Sequence, residues 1–220
     1  MAKVIIFGIL DNASVAHFHL KHDSPHEVVA FSVSRSYMPD PPIFKGLPVV
    51  PFEEVEQHYS PGDYAFFAPM SYREMNRLRE AIYLQIKAKG YPLISYISSR
   101  ATVFAGTPIG ENCFILENNT IQLYASIGNN VMMWAGNHIG HHTQVKDHVF
   151  FSAHVVLAGH NIVEPYCVFG VNATVKGWVH IAEGTYVAMS AAIAKDTEPW
   201  CKYLGIYARK GLVSSDESEY

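Results

Sequence analysis

The second half of the chain repeats with a period of six residues, and this repeat restricts its fold more than any other feature. From residue 103 every sixth position is apolar: Val103, Ile109, Ile115, Ile121, Ile127, Met133, Ile139, Val145, Phe151, Leu157, Val163, Phe169, Val175, Ile181, Val187 and Ile193. Because 49% of all residues are apolar, such a run arises by chance only about once in a hundred thousand trials. A regular structure with a six-residue unit is therefore predicted.

The fifth position of each hexad, counted from the apolar residue, carries a small or slim side chain. These residues are Thr107, Cys113, Asn119, Ala125, Val131, Asn137, Thr143, Val149, Val155, Asn161, Cys167, Ala173, Val179, Thr185 and Ala191. One large and one small inward position per hexad is typical of a hexapeptide parallel β-helix, in which three hexads close one triangular coil. We expect about five coils. The period does not set the hand of the coil, although parallel crossovers are normally right-handed.

Residues 1–100 follow a different rhythm, with strand and helix signals in alternation. The predicted strands are KVIIFG, HEVVAFSV, DYAFFA and PLISYIS, and the clearest helix is YREMNRLREAIYLQIKAKG. A first helix is expected after the first strand, with Asn12 as its N-cap. Strands alternating with helices predict a small parallel sheet of Rossmann type. The expected organisation is an α/β domain at 1–100, an all-β helix at 101–197, and a closing segment and tail at 198–220.

Composition excludes several classes of function. The 220 residues carry a net charge of −4, which offers no basic field for nucleic acid. The apolar runs are too short to span a membrane. Three cysteines are too few for a disulfide framework, and Cys113 and Cys167 occupy the small inward column. These features predict a soluble cytoplasmic protein.

Four segments resemble a known family: GNHIGHH, FGVNATV, GLPVVPFEEVE and NRLREAIYLQIKAKGY. The hexads resemble those of the left-handed β-helix acyltransferases. With the α/β half in front, residues 2–210 resemble the sugar acetyltransferases related to sialic acid O-acetyltransferase and to the N-acetyltransferases of bacterial amino-sugar pathways. The resemblance implies a homotrimer that binds acetyl-CoA in clefts between neighbouring β-helices.

Six of the twelve histidines fall in one short stretch: His138, His141, His142, His148, His154 and His160. The last four share the fourth hexad position, and residues six apart point from successive sides of a triangle. Only His142 and His160 should stack on one side, about 4.8 Å apart. We therefore expect no metal cluster within one chain. The γ-class carbonic anhydrases, which use a similar helix with three histidine ligands, carry a histidine pair five residues apart, and none of these six forms such a pair.

His141 occupies the outward third position, where the resemblance implies the catalytic histidine. Acyl transfer from a thioester requires the attacking amine or hydroxyl to lose a proton, and an imidazole is suited to accept it near neutral pH. The relatives usually place an acidic residue next, where this chain has His142. His142 is therefore included in the catalytic pair, with Asp147 or a neighbouring chain as other sources of assistance. The alternative is that His141 is an ordinary exposed histidine.

The resemblance also implies which residues hold acetyl-CoA. They are Phe150, Gly159, Val171 and Met189, acting mostly through backbone groups, and Lys195 for the phosphates, with Lys202, Arg209 and Lys210 as further candidates. A glycine at 159 permits close approach of the thioester, and its N–H is a candidate donor to the developing oxyanion. Solvated charge is the alternative explanation for the lysines and arginine.

Relatives bind a nucleotide-linked sugar with the front half, and the matching positions here are Gly8, Leu10, Asp11 and Asn12, together with Ser32 and Val33. His138 is expected to line the same cleft as His141. The G-x-G-x-x-G fingerprint is absent, so NAD binding is not predicted. A front domain that only caps the β-helix is the alternative.

These observations predict an acetyltransferase that moves an acetyl group from acetyl-CoA to an amino group of a nucleotide-linked deoxyamino sugar, in surface glycan (lipopolysaccharide) biosynthesis. Sugar O-acetylation of the sialic acid type is the first alternative. A zinc enzyme of the γ-carbonic anhydrase kind and a non-catalytic sugar-binding scaffold are more remote. No metal cofactor is expected.

Overall fold

The structure is a computed structural model that describes residues 1–205. The predicted phosphate contacts of Arg209 and Lys210 lie outside the described residues, as does most of the predicted tail. Within the described range, no helix has the length and apolar character needed to cross a membrane.

The front half alternates strands and helices as predicted. Its elements are β1 (Lys3–Phe7), α1 (Asp11–His22), β2 (Glu27–Val33), β3 (Ile43–Phe44), β4 (Leu47–Pro51), α2 (Val55–His58), β5 (Tyr64–Phe67) and α3 (Arg77–Ala88), with short 3-10 helices at Arg35–Tyr37 and Phe52–Glu54. The sheet order is β3-β4-β2-β1-β5. Strands β1, β2, β4 and β5 are parallel, and β3 pairs antiparallel with β4.

Two expectations for the front half are wrong, and one pair of strands was not predicted. The unpredicted pair is the β3–β4 hairpin, in the segment between β2 and α2. The first helix begins at Asp11 with Leu10 as its N-cap, so Asn12 lies inside the helix. The segment PLISYIS is not one strand of the front sheet, because Leu93 bridges to Phe66 whereas Tyr96 and Ile97, three and four residues further along, pair with the second half.

The second half is a parallel β-helix of two-residue strands. They are β6 (Tyr96–Ile97), β7 (Thr102–Val103), β8 (Phe114–Ile115), β9 (Thr120–Ile121), β10 (Ser126–Ile127), β11 (Met132–Met133), β12 (His138–Ile139), β13 (Gln144–Val145), β14 (Phe150–Phe151), β15 (Val156–Leu157), β16 (Ile162–Val163), β17 (Val168–Phe169), β18 (Thr174–Val175), β19 (His180–Ile181), β20 (Tyr186–Val187), β21 (Ala192–Ile193) and β22 (Lys202–Tyr203).

These strands stack into three parallel sheets, which are the faces of a triangular prism. Sheet A contains β6, β8, β11, β14, β17, β20 and β22; sheet B contains β7, β9, β12, β15, β18 and β21; sheet C contains β10, β13, β16 and β19. Partner residues are 18 apart along most of the helix, as in the pairing of His138 with Val156. With seven strands in sheet A among residues 1–205, the helix is longer than the five coils predicted, because β6 and β22 extend it at both ends.

The interior of the prism is built from the two predicted columns. The large apolar residues from Ile115 to Ile193 and most of the small fifth-position residues form one buried cluster. Buried asparagines of the small column satisfy backbone groups, as where the Asn161 side chain donates to Ala158 O at 2.7 Å and accepts from Val179 N at 2.9 Å. The prediction of a hexapeptide β-helix is confirmed.

The two halves share a core across sheet A. The outward side chains of Phe114, Met132, Phe150 and Val168 pack against front-half residues that include Phe31. Helix α3 adds a polar contact, because the fully buried Arg79 donates to the carbonyls of Asn130 and Val149 and to the Asn76 side chain. Burial lowers the pKa of Arg79 to about 9, so its charge is retained at neutral pH.

Candidate active site

Three glycine-containing turns, two of which carry histidines, form one corner of the prism, between sheets B and C. We call this the histidine corner; it consists of residues 140–143, 158–161 and 176–179. His141 and His142 follow β12 and precede β13. Both side chains are exposed, so the outward orientation predicted for His141 is observed.

The fourth hexad position has a backbone role that the sequence argument missed. His142, His148, His154 and His160 all have φ between 59° and 63°, in the left-handed region. Non-glycine residues at the matching corners share this conformation: Asn112, Asn118, Tyr124, Asn130, Tyr166, Asn172, Trp178 and Ser190. Asn and His are enriched there, and glycine is free to adopt it. The regular spacing of the four histidines therefore follows from the corner geometry. The sequence does carry a signal for this conformation, because the fourth hexad position is restricted to Asn, Gly, His, Ser and aromatic residues.

His141, His142 and His160 come together at the histidine corner. Nδ1 of His141 lies 3.1 Å from Nδ1 of His142. The rings of His142 and His160 stack with centroids 4.7 Å apart, as predicted, and the His141 ring stands perpendicular to His160 at 5.0 Å. One nitrogen from each of the three lies within 4.8 Å of the others. The expectation that no three histidines of one chain meet is wrong, because the left-handed corner turns His142 and His160 sideways toward His141.

Aromatic rings extend this stack in both directions. Tyr124 packs on His142 with centroids 4.7 Å apart, and Trp178 lies parallel to His160 at 3.8 Å. Tyr124 and Trp178 are 71% and 76% exposed, so the ring column is an outer surface of the protein. Partial loss of hydration, and then the cationic forms of His142 and His141, lower the pKa of His160. His160 is therefore neutral at neutral pH.

Gly159 supports the His141 ring from the next turn. A Cβ atom at residue 159 would lie 2.7 Å from Cε1 of His141, so a glycine is required for this packing. The carbonyl of Gly159 accepts from Trp178 N at 3.1 Å, and His160 N donates to His141 O at 2.9 Å. Among residues 1–205 the Gly159 N–H forms no hydrogen bond, which leaves this donor beside the imidazole.

The other predicted cofactor residues are separated. Strand β21 pairs with β18 so that Lys195 continues the histidine corner beyond residue 177, and its side chain is exposed. Val171 and Met189 share the corner between sheets A and B, where Ser190 N donates to Val171 O at 2.9 Å. The Phe150 side chain is 3% exposed and packs on Tyr72 of the front half, because the front half covers sheet A.

His138 and His148 lie outside the cluster. His138 is half-buried in β12, on sheet B. His148 is buried, and its Nδ1 accepts from the side-chain amide of Asn130 at 2.9 Å, with Glu80 3.4 Å from its Nε2. Burial lowers the pKa of His148, and Glu80 opposes that shift. Asp147 accepts from Asn129 N at 2.7 Å and is bonded away from His141, so within one chain it is not the partner of His141.

The predicted substrate residues of the front half divide into two groups. Gly8 has φ +109° and donates to Ser32 O at 2.8 Å, which joins the carboxyl ends of β1 and β2. Leu10 and Asp11 are exposed at the start of α1. Asn12 and Phe150 line one small crevice between the halves.

The side chains of Ser32 and Val33 are buried in the front half. The Ser32 hydroxyl has no hydrogen-bond partner among the described residues. Side-chain contact of this pair with a substrate therefore does not fit the structure, because the sheet encloses both residues.

Comparison with protein-family profiles finds no match. Curated sequences that match are enzymes named acyl-(acyl-carrier-protein)–UDP-N-acetylglucosamine O-acyltransferase. The one from Campylobacter concisus is 30% identical over 112 residues, which is 48% of this chain and 43% of that protein. The one from Sinorhizobium fredii is 27% identical over 99 residues, 42% of this chain and 37% of that protein. The chain thus spans less than half the length of these relatives.

Solved structures match over nearly the whole chain. A mutant of perosamine N-acetyltransferase from Caulobacter crescentus, with a histidine replaced by asparagine and in complex with CoA and GDP-perosamine, superposes with a TM-score of 0.83 at 22% identity, covering 96% of this chain and 98% of that one. The acetyltransferase domain of PglB from Neisseria gonorrhoeae gives 0.78 at 17% identity, covering 92% and 96%. WeeI from Acinetobacter baumannii gives 0.78 at 15%, with the same coverage. This chain has the fold of the hexapeptide-repeat acyltransferases.

In this hexapeptide-repeat fold, the histidine corner combines three groups on one outer edge. In the tautomer in which Nδ1 of His141 donates to Nδ1 of His142, Nε2 of His141 is the proton-accepting position. Gly159, in the next turn, provides a backbone N–H that is free of hydrogen bonds among residues 1–205. A proton acceptor beside an oxyanion donor is an arrangement that can promote acyl transfer.

Proposed function

We propose that the chain is an acetyltransferase that uses acetyl-CoA and a nucleotide-linked deoxyamino sugar, with His141 as general base. The observation that carries the proposal is the hydrogen bond of His141 Nδ1 to His142 Nδ1 above Gly159. It orients the ring over Gly159, where an added Cβ would lie 2.8 Å from Nε2. His142 replaces the acidic residue of the relatives by accepting the Nδ1 proton of His141 as a neutral ring.

The proposed reaction requires only His141, the Gly159 N–H and the two substrates. The amine nitrogen of the sugar attacks the thioester carbonyl, and its proton passes to Nε2 of His141 as the C–N bond forms. The Gly159 N–H donates to the carbonyl oxygen while that oxygen carries negative charge. The C–S bond then breaks, and the departing CoA thiolate takes the proton from His141. The amide and free CoA are released.

The cofactor path is proposed along the histidine corner. The strand register puts Lys195 three turns from His141, about 14 Å at one strand spacing per turn. That separation suits an extended arm between a thioester at His141 and a phosphate at Lys195. Val171 and Met189 belong to another corner of the same chain, so contact with the same cofactor requires a neighbouring β-helix. We therefore propose a homotrimer in which the cofactor cleft lies between chains.

The front half is proposed to bind the nucleotide part of the sugar at the start of α1. Helix α1 begins without a side-chain cap, next to Gly8 at the carboxyl end of β1. Backbone N–H groups at a helix N-terminus attract phosphate, and nucleotides bind at this edge of Rossmann-type sheets. Leu10, Asp11 and Asn12 are the remaining candidates, and His138 is the proposed contact on the β-helix.

An amine acceptor is favoured over a hydroxyl. The perosamine N-acetyltransferase matches both halves of the chain, whereas the O-acyltransferases match less than half of it. O-acylation of a sugar is the second candidate, supported by the names of those sequence relatives.

Thiol release from acetyl-CoA tests the proposal. We expect CoA release with nucleotide-linked amino sugars and little with UDP-N-acetylglucosamine or free sialic acid. Release with a hydroxyl acceptor alone would favour the O-acetyltransferase. Activity should survive exhaustive chelation, whereas loss that added zinc restores would support a zinc enzyme. No release with any acceptor would support a sugar-binding scaffold.

A further inference from the structure

The cluster of His141, His142 and His160 carries an inference beyond acid–base chemistry. We propose that these imidazoles bind one divalent transition-metal ion, of the class of Zn²⁺, Ni²⁺ and Cu²⁺, within a single chain. The ion is a regulator that silences the site, and this consequence for activity rests on the proposed function. Metal binding itself rests only on the three side chains.

Two of the nitrogens are already at ligand spacing. Nδ1 of His141 and Nδ1 of His142 are 3.1 Å apart. Two nitrogens bound to one tetrahedral zinc ion at about 2.0–2.1 Å are roughly 3.3 Å apart. An ion can therefore take the place of the proton that the two rings share.

The third nitrogen needs a side-chain rotation. All three donors lie within 4.8 Å of one another, but the His142 and His160 rings are parallel, so their lone pairs do not converge. His141 and His142 are exposed and His160 is half-buried, and none belongs to the buried core of the prism. His160 can turn toward the ion by leaving its stack with Trp178, and no core residue has to move.

The donor set selects the class of ion. Neutral imidazole suits zinc, copper and nickel. Calcium and magnesium require oxygen ligands, and the cluster consists of histidines alone among the described residues. A water molecule completes the coordination.

Binding at Nδ1 has a chemical consequence for His141. A neutral imidazole has one N–H and one lone pair, so a ring that gives its Nδ1 lone pair to the metal carries its proton on Nε2. Nε2 is then a donor and no longer accepts the proton of an attacking amine. The bound ion therefore blocks the base.

The test compares two asparagine variants by calorimetric titration with Zn²⁺, on untagged protein stripped of metal. His160→Asn removes one ligand, and His154→Asn is the matched control at another corner. Both positions have the same left-handed backbone, with φ of 63° and 60°, which asparagine tolerates. We expect one ion per chain in the wild type and in His154→Asn. In His160→Asn the affinity should fall at least about tenfold, since even outer-shell changes cost 10- to 100-fold.

A second readout uses Trp178, which stacks on His160 at 3.8 Å. Its fluorescence should change on zinc addition in the wild type and in His154→Asn, and not in His160→Asn. Equal zinc affinity in the two variants would overturn the proposal, as would an absence of stoichiometric binding by the wild type. If acetyl transfer is present, zinc should inhibit it and a chelator should restore it. An inactive chain that still binds zinc in this pattern would count against the proposed function only.

Discussion

His141 differs from its neighbours in conformation and in surroundings. It occupies the third position of its hexad and is exposed, whereas His142, His148, His154 and His160 occupy left-handed corners. Their repetition follows from backbone geometry, so it does not by itself indicate chemistry. What distinguishes His141 is the bonded partner at Nδ1 and the glycine beneath its ring.

Replacement of His141 by asparagine should lower turnover by about 10²–10⁴-fold, the usual contribution of a positioned base. The proposed trimer and the proposed binding of CoA should be retained, because an outward side chain contributes little to the core. Steady-state kinetics of CoA release measures the effect. His58→Asn is the control and should change turnover little, since His58 is exposed at the end of α2, in a part of the front half with no proposed role. His148 is unsuitable as a control, because it is buried between the halves. Near-normal turnover of His141→Asn at saturating substrate would contradict the role of His141 as general base.

Gly159→Ala should separate activity from stability. The new Cβ would lie 2.7 Å from the His141 ring, and this ring is an exposed side chain that can move aside. We expect the melting temperature to change little and turnover to fall by about 10²-fold, since a displacement near 1 Å can cost that much. Thermal unfolding and kinetics on the same sample provide the comparison. An active variant would show that the observed ring position is not the catalytic one.

At the scale of elements, helix α3 is attached to the β-helix through a buried cation that has no carboxylate partner among residues 1–205. Arg79 donates to the carbonyls of Asn130 and Val149 and to Asn76 Oδ1. Charge-assisted hydrogen bonds to several acceptors offset the cost of burying the guanidinium. The front half is thereby held against sheet A.

Arg79→Met should reduce the free energy of unfolding by about 1–3 kcal/mol for each buried acceptor that it leaves unsatisfied, and the Asn130 carbonyl is one of them. Urea denaturation measures this loss. Arg73→Met is the control, since Arg73 is exposed and surface changes usually stay within about 0.5 kcal/mol. Equal stability of the two variants would mean that water or relaxation replaces the Arg79 contacts.

His148 should make stability depend on pH. Burial lowers its pKa, against the opposing effect of Glu80. Its stabilising contribution is therefore present above about pH 6.5 and is lost as the pH falls toward the folded pKa, because the unfolded chain takes up the proton first. The slope is at most about 1.4 kcal/mol per pH unit. His148→Asn, at a left-handed position with φ of 62°, removes this dependence. As the pH is lowered from 7.5 to 5.5, the free energy of unfolding of the wild type should fall relative to that of His148→Asn. A constant difference between the two would contradict this role of His148.

At the scale of the whole molecule, the prism exposes apolar side chains on the surfaces that the front half does not cover. Val156 and Val171 are about two-fifths exposed, and Met189 is about half exposed. Two corners of the prism carry predicted cofactor residues that one chain cannot bring to the same ligand. A neighbouring chain would cover the apolar surface and join these corners.

The protein should therefore sediment at three times the 24.6 kDa chain mass. Sedimentation velocity at micromolar concentration measures this, with and without acetyl-CoA. A stable monomer would remove the cleft on which the proposed roles of Val171 and Met189 depend. It would leave the arrangement of His141 over Gly159 unchanged, since both belong to one chain.

Local sequence patterns predicted the structural features that depend on a single turn of the β-helix. The six-residue period predicted which residues enter the prism, and Ile115 and Ile193 mark the buried column from end to end. It also predicted that His141 faces outward and that His142 and His160 stack. Periodicity reports the alternation of inward and outward positions, and these properties follow directly from it.

The sequence alone determined the β-helix, the α/β half before it and the outward position of His141, because repeated local geometry is encoded in every hexad. Tertiary structure decided the rest. The front half buries Phe150. The six-residue period alone places this side chain on an outer face of the prism. The direction of left-handed corner side chains brings His142 and His160 to His141 from positions one and nineteen residues away. Such contacts depend on how different turns of the β-helix, and the two halves of the chain, pack against each other. Packing between segments that are distant in sequence produces no periodic pattern of residues.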